Sequence, residues 1–502
     1  MAFDGGAGVR RLRAIALSGD SQPVQVAFWV SLALSLIALA GSGTLNRDGM
    51  LYASIAQVML DEGVAQALAK FDWLLLPALM AGVSWLTGMS TELAGHVLGA
   101  LFMAGTSALL VACAQRQFAG AGWAACLVVL SLPAINSFRD QIVREFGYWF
   151  FCALALWFAL RWAQRWRWRD ALLCQMAIVA AVCFRLEAVI LFPALLLWQL
   201  FARAERPLLL RLAMLGAGPL MLAGALAGLD AMGLVSVETR LAYYLEAVDL
   251  TSKIGHFNAA ADQVSAAVLN KISDGDAAAI LFVGLVSIIP AKFVLLLGVF
   301  AIPLAYLCAS GKLRAHLRAW SLMNWVFVIY VVVLVAFVTE RFFLTSRYVS
   351  FLNLVAVPLI AASLVMLREY WPRATRVVVG LAMLTMGANV ISLTPSKTHL
   401  VEAGQWLART VPDVKRVGFE DQRVAYYAGA GYFPWLHFDR DEAGARLARG
   451  ELDYVVVASA PEQPIEDAPW FGANALSVVQ RFEQPSGAAV VVVQSAQRAA
   501  LR

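Results

Sequence analysis

The sequence predicts a polytopic α-helical membrane protein on three observations: an apolar composition, recurring long apolar runs and a one-sided placement of basic residues. Of the 502 residues, 61% are hydrophobic and only 15% are charged, with a mean hydropathy of +0.71. A soluble chain of this length carries more charge, because it needs a polar surface. Runs of about 20 apolar residues, long enough to cross a hydrocarbon core, recur along most of the chain.

We predict about eleven membrane spans from these runs. The eighth is too long for one straight crossing, and Pro290 and Lys292 interrupt it, so we expect its first part to lie in the membrane interface. The first run resembles a signal peptide, but cleavage after Ala40 would detach the loop that follows, so we expect it to be retained. The predicted spans are residues 24–43, 91–115, 121–138, 146–163, 170–186, 188–203, 208–230, 279–309, 319–338, 348–367 and 376–393.

The basic loops give the orientation. They all fall on the N-terminal side of the membrane, which the positive-inside rule places in the cytoplasm. An odd number of spans then puts the C-terminus outside, so we expect a bacterial inner-membrane protein with a periplasmic C-terminal domain. The residues concerned are Arg10, Arg11, Arg13, Arg116, Arg161, Arg165, Arg167, Arg169, Arg203, Arg206, Arg211, Lys312, Arg314, Arg318, Arg368, Arg373 and Arg376.

The chain is predicted to form two domains. Residues 1–393 form the transmembrane domain, with outside loops at 44–90 and 231–278, and residues 394–502 form a small α/β domain. In this tail charged residues become frequent and long apolar runs stop, which is typical of a soluble domain. Its predicted strands are 416–419, 454–458 and 489–493, and its predicted helices are 399–409 and 441–447.

The first outside loop carries a carboxylate directly after the first apolar run, at Asp48. Apolar residues at Leu51, Ile55 and Val58 then follow a helical spacing, which predicts an amphipathic surface helix. A second apolar stretch, residues 73–86, is too short to cross and is predicted to lie along the interface. Asp48 is well explained as a catalytic base at the mouth of these helices. The alternative that it caps the first helix stays open, because capping and catalysis do not exclude each other.

This order of elements resembles the GT-C glycosyltransferases of the protein O-mannosyltransferase and lipid A aminoarabinose transferase type. Asp48 and Tyr52 match that family's Asp-Glu-x-x-Tyr motif, in which Gly49 replaces the second acid. Asp72 falls near a position where relatives carry Glu, and Arg347-Tyr348 resembles the family's entry to a late span. The resemblance implies a GT-C-like fold and a polyprenyl-phosphate sugar as donor.

Charged residues also cluster at the predicted outer ends of the spans. Because the positive-inside rule disfavours arginine there, we predict a cationic pocket for the donor phosphate, which suits the planar guanidinium fork. Arg185 is the strongest single candidate, since Glu187 lies two residues away and such residues do not face each other on a helix. The predicted phosphate-binding residues are Arg47, Arg139, Arg144, Arg185, Lys253, Lys271, Arg341 and Arg347, with Glu187, His256 and Tyr348 as further site residues.

These observations predict an inverting transferase that moves a sugar from a polyprenyl phosphate to an outside acceptor: lipid A, a polysaccharide or a protein. Asp48 would be the general base that takes the proton of the acceptor hydroxyl. A divalent cation held by Asp48 with Asp140 or Asp72 is a further hypothesis. The five histidines lack a two-histidine zinc spacing.

Three alternatives remain at this level. A transporter or flippase for a lipid-linked or anionic substrate would share the cationic pocket, but it predicts repeated halves with broken helices. A polymerase or ligase of surface polysaccharide usually carries its active loop late in the chain. A non-catalytic relative is the third, because of Gly49. The sequence contains no phosphate-binding loop, dinucleotide fingerprint or Gly-x-Ser-x-Gly elbow, and the charge of +5 is a topology signal that implies no nucleic acid.

Overall fold

The computed structural model describes residues 21–41, 43–202, 206–233, 250–270, 272–391 and 397–496. Arg10, Arg11, Arg13, Arg203, Lys271 and the predicted domain boundary at 393–394 lie outside these ranges, and the predicted loop 231–278 lies partly outside them. The described chain divides into two compact units. The first unit contains the chain up to Ala38, Gly99–Arg139 and Arg144–Ile391; the second contains Leu39–Leu98, Asp140–Val143 and the chain after residue 391.

Up to residue 388, the described chain consists of α-helices, the loops between them and three short 3₁₀ helices. The 3₁₀ helices are Leu186–Ile190, Asp274–Asp276 and Gly298–Phe300. The α-helices are α1 (Ser21–Ala40), α2 (Arg47–Asp61), α3 (Val64–Lys70), α4 (Leu75–Thr87), α5 (Thr91–Gln117), α6 (Gly122–Ser131), α7 (Pro133–Asn136), α8 (Glu145–Arg165), α9 (Trp168–Phe184), α10 (Leu191–Phe201), α11 (Leu208–Ala231), α12 (Leu250–Val268), α13 (Ala277–Leu297), α14 (Ala301–Ala309), α15 (Leu313–Ala319), α16 (Ser321–Arg341), α17 (Ser346–Tyr370) and α18 (Pro372–Ala388).

Six of these helical stretches are long and apolar enough to cross a membrane: α1, α5, α8, α13 with α14, α16 and α17. Shorter apolar helices occur at α4, α6 and residues 186–201. Within the described residues, each of the eleven predicted spans overlaps helical chain, because long apolar runs satisfy their backbone hydrogen bonds internally only as helices. The chain is therefore a polytopic α-helical membrane protein.

The eighth predicted span is interrupted at a different place from the one expected. Helix α13 continues through Pro290 and Lys292, so the expectation of a break there is wrong. The helix ends at Gly298, whose φ of +55° suits glycine, and a Cβ there would lie 3.2 Å from the Pro133 Cγ. Proline is tolerated inside membrane helices, whereas this backbone conformation cannot continue one.

Helix α17 forms the centre of the first unit. Its residues from Val349 to Leu364 are all buried, and neighbouring helices surround it. The buried Asn353 side chain donates a hydrogen bond from Nδ2 to the Phe293 carbonyl oxygen, at 3.0 Å. This bond satisfies the Nδ2 donor and so offsets part of the cost of burying the amide group.

The second unit ends in an α/β fold around one sheet of four strands. Counted along the chain, the strands lie in the sheet in the order first, second, fourth and third. The first and second strands are parallel, and the other neighbouring pairs are antiparallel. Apolar side chains pack on both faces of the sheet. The three predicted strands and two predicted helices are present, but the strand Leu476–Glu483 was missed. The elements are β1 (Val417–Phe419), β2 (Tyr454–Ser459), β3 (Leu476–Glu483) and β4 (Ala489–Ser495), with α19 (Thr398–Thr410), α20 (Gln422–Tyr427), α21 (Arg440–Ala448) and α22 (Pro469–Ala473).

The first loop of the chain belongs to this same unit. It forms three helices, α2, α3 and α4, where two were predicted, because the additional helix α3 begins directly after Gly63, whose φ is +91°. Two hydrogen bonds join the loop to the C-terminal fold. The Leu45 amide donates to the Tyr427 hydroxyl at 2.8 Å, and the Tyr432 amide donates to Ser54 Oγ at 2.8 Å.

Candidate functional site

Asp48 lies in the first turn of α2, and its side chain is half-buried. Asn46, and not Asp48, occupies the N-cap position of α2, so the alternative that Asp48 caps this helix is wrong. The Asn46 side chain instead pairs with the chain at Ile142, donating from Nδ2 to its carbonyl oxygen at 3.2 Å and accepting from its amide at Oδ1 at 2.9 Å. This two-point contact fixes the start of the helix that carries Asp48.

Gly49 has a packing reason. A Cβ at this position would lie 2.7 Å from Asn46 Oδ1 and 3.0 Å from Ile142 Cβ. Any larger side chain would therefore push against the contact that positions the helix. Close approach of the 140–143 segment gives a reason why this position holds glycine where the Asp-Glu-x-x-Tyr motif has an acid.

We expect Gly49→Ala to destabilise the second unit by about 1–3 kcal/mol, because overpacking forces neighbours to shift. The matched control is Gly82→Ala in α4, where an added Cβ would meet nothing within 4 Å. There alanine should be neutral or stabilising, since it favours helix by about 1 kcal/mol over glycine. Thermal unfolding in detergent measures both variants, and equal stability of the two would contradict this account of Gly49.

Next to this helix start lies an open cleft of about 660 Å³, which we name the Glu420 cleft. Tyr432 lines the cleft, and its hydroxyl is surrounded by charged groups. Burial raises the pKa of the Tyr432 hydroxyl, Arg47 opposes that rise, and Asp421 and Asp48 add to it. The cleft is lined by Arg47, Glu420, Asp421, Gln422, Tyr432, Pro434, Trp435, Leu436, His437, Phe438, Arg440 and Ala458.

Both acids of the Glu420 cleft are bound by arginines. Arg440 donates to Glu420 Oε1 from Nε at 2.9 Å and from Nη2 at 2.6 Å, and the Ala458 amide donates to Glu420 Oε2 at 2.7 Å. Burial raises the pKa of Asp421, but hydrogen bonds from Arg423 outweigh burial and hold it below its ordinary value. The sequence reasoning missed this cleft, although two consecutive acids directly after a predicted strand were a visible signal.

Asp72 and Asp140, the acids predicted to share a cation with Asp48, also lie in the second unit, as does Tyr52. Asp140 is half-buried, and burial raises its pKa, partly offset by its own backbone amide. Asp72 is exposed between α3 and α4, and Tyr52 is buried with its ring 5.9 Å from that of Phe71. Within the described ranges, no group of three or more histidine, cysteine or acidic side chains lies close enough together to hold a metal ion.

In the first unit, Arg185 is the centre of a buried ion-pair cluster. It donates from Nη1 to Glu145 Oε1 at 2.7 Å and from Nη2 to Glu187 Oε1 at 2.5 Å. Helix α9 ends at Phe184 and Arg185 is extended, with φ of −152° and ψ of 129°. The expectation that Arg185 and Glu187 do not face each other is therefore wrong, because the chain leaves helical geometry between them.

Arg347 and Tyr348 complete this cluster at the start of α17. The Arg347 Nη1 lies 4.0 Å from Glu145 Oε1, and the Arg185 guanidinium lies 4.7 Å from the centre of the Tyr348 ring. Arg144 is next to Glu145 in sequence and within electrostatic reach of Glu187. We name the three arginines, the two glutamates and Tyr348 the Arg185 cluster. The cluster thus brings three arginines and two glutamates together.

The connection between α16 and α17 also holds other predicted residues. Lys253 forms an ion pair with Glu340, whose other oxygen lies 3.9 Å from Arg341 Nε. The His256 ring packs on Phe342, with centroids 5.7 Å apart. These side chains lie on α12 and at the end of α16, which brings the described part of the middle loop to the α16–α17 turn.

Arg139 lies in a different setting. It is buried, and it donates from Nε to Asn136 Oδ1 at 2.8 Å and from Nη1 to Ser35 Oγ at 2.7 Å. Further bonds reach the Ser31 carbonyl and hydroxyl oxygens. All these partners are neutral groups of α1 and α7. This arrangement favours a role in joining these helices over contact with a ligand.

Comparison with solved structures identifies the fold. The chain aligns with ArnT from Cupriavidus metallidurans in the apo state at a TM-score of 0.59 and 14% identity, covering 93% of this chain and 97% of that one. The mycobacterial arabinofuranosyltransferase AftD aligns at 0.49 and 15% identity, over 95% of this chain and 41% of its own. ArnT bound to undecaprenyl phosphate aligns at 0.41 and 14% identity, over 93% and 97%.

Neither protein-family models nor curated proteins give a match to this sequence. The likeness to known proteins is thus one of fold. The apo ArnT alignment extends over almost the whole of both chains, so it covers the membrane helices as well as the C-terminal α/β fold. This chain has the GT-C-like polytopic membrane fold, as the resemblance of its first loop predicted.

Proposed function

We propose that this protein is a membrane glycosyltransferase that moves a sugar from a polyprenyl-phosphate donor to an acceptor hydroxyl. The observation that carries the proposal is the position of Asp48, fixed in the first turn of α2 near an open cleft, in a chain with the fold of ArnT. Fold alone does not define an activity, so the proposal depends on the chemistry of Asp48 and of the Arg185 cluster. We place the reaction at the periplasmic face of the inner membrane.

Asp48 has the chemistry of the general base. Its carboxylate lies in the first turn of α2, and a carboxylate held in place beside a substrate hydroxyl can accept its proton. An acceptor hydroxyl that loses its proton to Asp48 attacks the anomeric carbon as the bond to phosphate breaks. Attack from the face opposite the phosphate inverts the configuration of that carbon.

The Arg185 cluster has the chemistry of the phosphate site. Glu145 and Glu187 hold the Arg185 guanidinium in one orientation, and Arg144 and Arg347 lie beside this ion-pair network. Arginine offers paired donors that match phosphate oxygens, and it stabilises negative charge as the leaving group departs. ArnT has been crystallised with undecaprenyl phosphate, and we carry this ligand class over to the present chain.

We expect Arg347→Gln to raise the KM for the donor about 10- to 100-fold, because a charge-assisted hydrogen bond contributes about 1.5–3 kcal/mol. The side chain of Arg347 is 28% exposed, so a ligand can reach it. Arg314→Gln in α15, an exposed arginine on the predicted opposite face, is the control and should leave KM unchanged. Initial rates at varied donor concentration give both values, and similar KM values for both variants would place the phosphate elsewhere.

The proposed activity is tested with the purified protein in lipid nanodiscs. Labelled polyprenyl-phosphate sugars are supplied with a membrane extract as the source of acceptors. A glycosyltransferase transfers label to an acceptor and releases polyprenyl phosphate. A transporter or flippase would move labelled donor across liposomes without breaking the sugar–phosphate bond, and this outcome would overturn the proposal.

A further inference from the structure

The Glu420 cleft has a wall of exposed apolar side chains. Trp435 is 50% exposed and Leu436 is 54% exposed, although both lie in a cleft whose other walls are largely polar. Phe433 supports Trp435 from behind, with ring centroids 5.5 Å apart. An aromatic ring displayed beside hydrogen-bonding groups is suited to a ligand with one apolar face and a polar edge, because the ring face attracts the partly positive hydrogens of C–H groups.

The segment that displays Trp435 is held in place. Gly429 and Gly431 take φ values of +89° and +79°, which turn the chain after α20. The Tyr432 amide then donates to Ser54 Oγ at 2.8 Å, and the Lys70 ammonium lies 5.6 Å from the centre of the Phe433 ring. The segment is thus fastened to the helices of the first loop on its inner side, which leaves Trp435 facing outward from a fixed base.

The polar wall opposite is also organised. Arg440 is held at both ends: its guanidinium binds Glu420, and its carbonyl oxygen accepts a hydrogen bond from Trp470 Nε1 at 2.7 Å. Each acid of the cleft binds an arginine, and the lining also contains the guanidinium of Arg47 at the start of α2. The volume of about 660 Å³ lies within the range of about 300–1,000 Å³ typical of ligand sites.

We propose that the Glu420 cleft binds the saccharide of the acceptor, with Trp435 as the surface on which a sugar ring stacks. A sugar ring has an apolar face of C–H groups and a rim of hydroxyl groups, which matches an aromatic wall opposite fixed polar groups. Arg47 selects saccharides that carry a phosphate or carboxylate. The assignment of this saccharide as the acceptor rests on the proposed transferase activity; its binding does not.

The test uses the full-length protein in detergent on an array of immobilised neutral, phosphorylated and uronic-acid oligosaccharides. Wild type should bind a subset of the acidic saccharides, and Trp435→Ala should lower this binding at least 10-fold, while Trp435→Phe keeps most of it. Trp85→Ala is the matched control, because Trp85 is 77% exposed in the same unit but lies outside the cleft lining. Absence of saccharide binding by wild type, or equal binding by Trp435→Ala, would overturn the proposal.

The array also separates this proposal from the transferase activity. Asp48→Asn should bind the same saccharides as wild type, because binding requires no proton transfer. Saccharide binding without any label transfer would refute the transferase and leave the cleft assignment standing. Label transfer with an unchanged acceptor KM in Trp435→Ala would refute the cleft assignment and leave the transferase standing.

Discussion

Asp48→Asn is expected to lower kcat for sugar transfer about 10²- to 10⁴-fold, the range typical for loss of a general base. Asparagine has nearly the same size and can keep the hydrogen bonds that a carboxylate accepts at one oxygen. It cannot take a proton from the attacking hydroxyl at neutral pH. The loss should therefore appear in kcat, with little change in the unfolding temperature or in the KM for the donor.

The control for this variant lies on the same helix. Asp61 is exposed at the end of α2, where its carboxylate accepts hydrogen bonds from Gln57 Nε2 at 3.0 Å. Asp61→Asn removes the same charge from the same element and should change kcat less than twofold. Single-turnover transfer with saturating donor measures the chemical step directly. A wild-type transfer rate in Asp48→Asn would show that Asp48 is not the general base. It would not affect the assignment of the fold.

The membrane part of the fold was predictable because its signal is local. A run of apolar residues long enough to cross a bilayer must be helical, whatever it packs against. The break in the eighth span was misplaced for the same reason. Pro290 is a visible interruption that a membrane helix tolerates, whereas Gly298 forms a break through a positive φ next to Pro133 that the local sequence does not reveal.

In the second unit, the pattern of apolar and polar residues does not predict every strand. Strands β2 and β4 are nearly continuous apolar runs, and both were predicted. Strand β3 lies at an edge of the sheet and carries Gln480, Arg481 and Glu483, so its composition is typical of a surface segment. Edge strands pair on one side only and tolerate such residues, which is why this strand was missed.

The site was predictable only in part. Asp48 was identified from its place after the first apolar run, a property of sequence alone. The Arg185–Glu145 pair joins residues 40 positions apart, and no spacing rule connects them. The pairing of Arg185 with Glu187 depends on where α9 ends, and neither glycine nor proline marks that end. The Glu420 cleft needs β1, the 429–438 segment and α21 together, so it required the structure.

Arg185→Met is expected to destabilise the first unit by about 3–5 kcal/mol, the cost of breaking a buried ion pair by removing one partner. The Arg185 side chain is 5% exposed and that of Glu145 is 8% exposed, so the variant leaves a buried carboxylate without its 2.7 Å partner. Methionine fills a similar volume, which isolates the electrostatic loss from a packing defect. Thermal unfolding in detergent should show the loss even without donor.

A compensating variant separates stability from ligand binding. Adding Glu145→Gln and Glu187→Gln to Arg185→Met removes both stranded charges, and this triple variant should recover most of the lost unfolding temperature, because buried ion pairs replaced together are often close to neutral in stability. Donor binding should not recover, since the oriented guanidinium is still absent. Equal recovery of stability and donor affinity would make the Arg185 cluster a structural device alone, and the phosphate would then need another cationic partner.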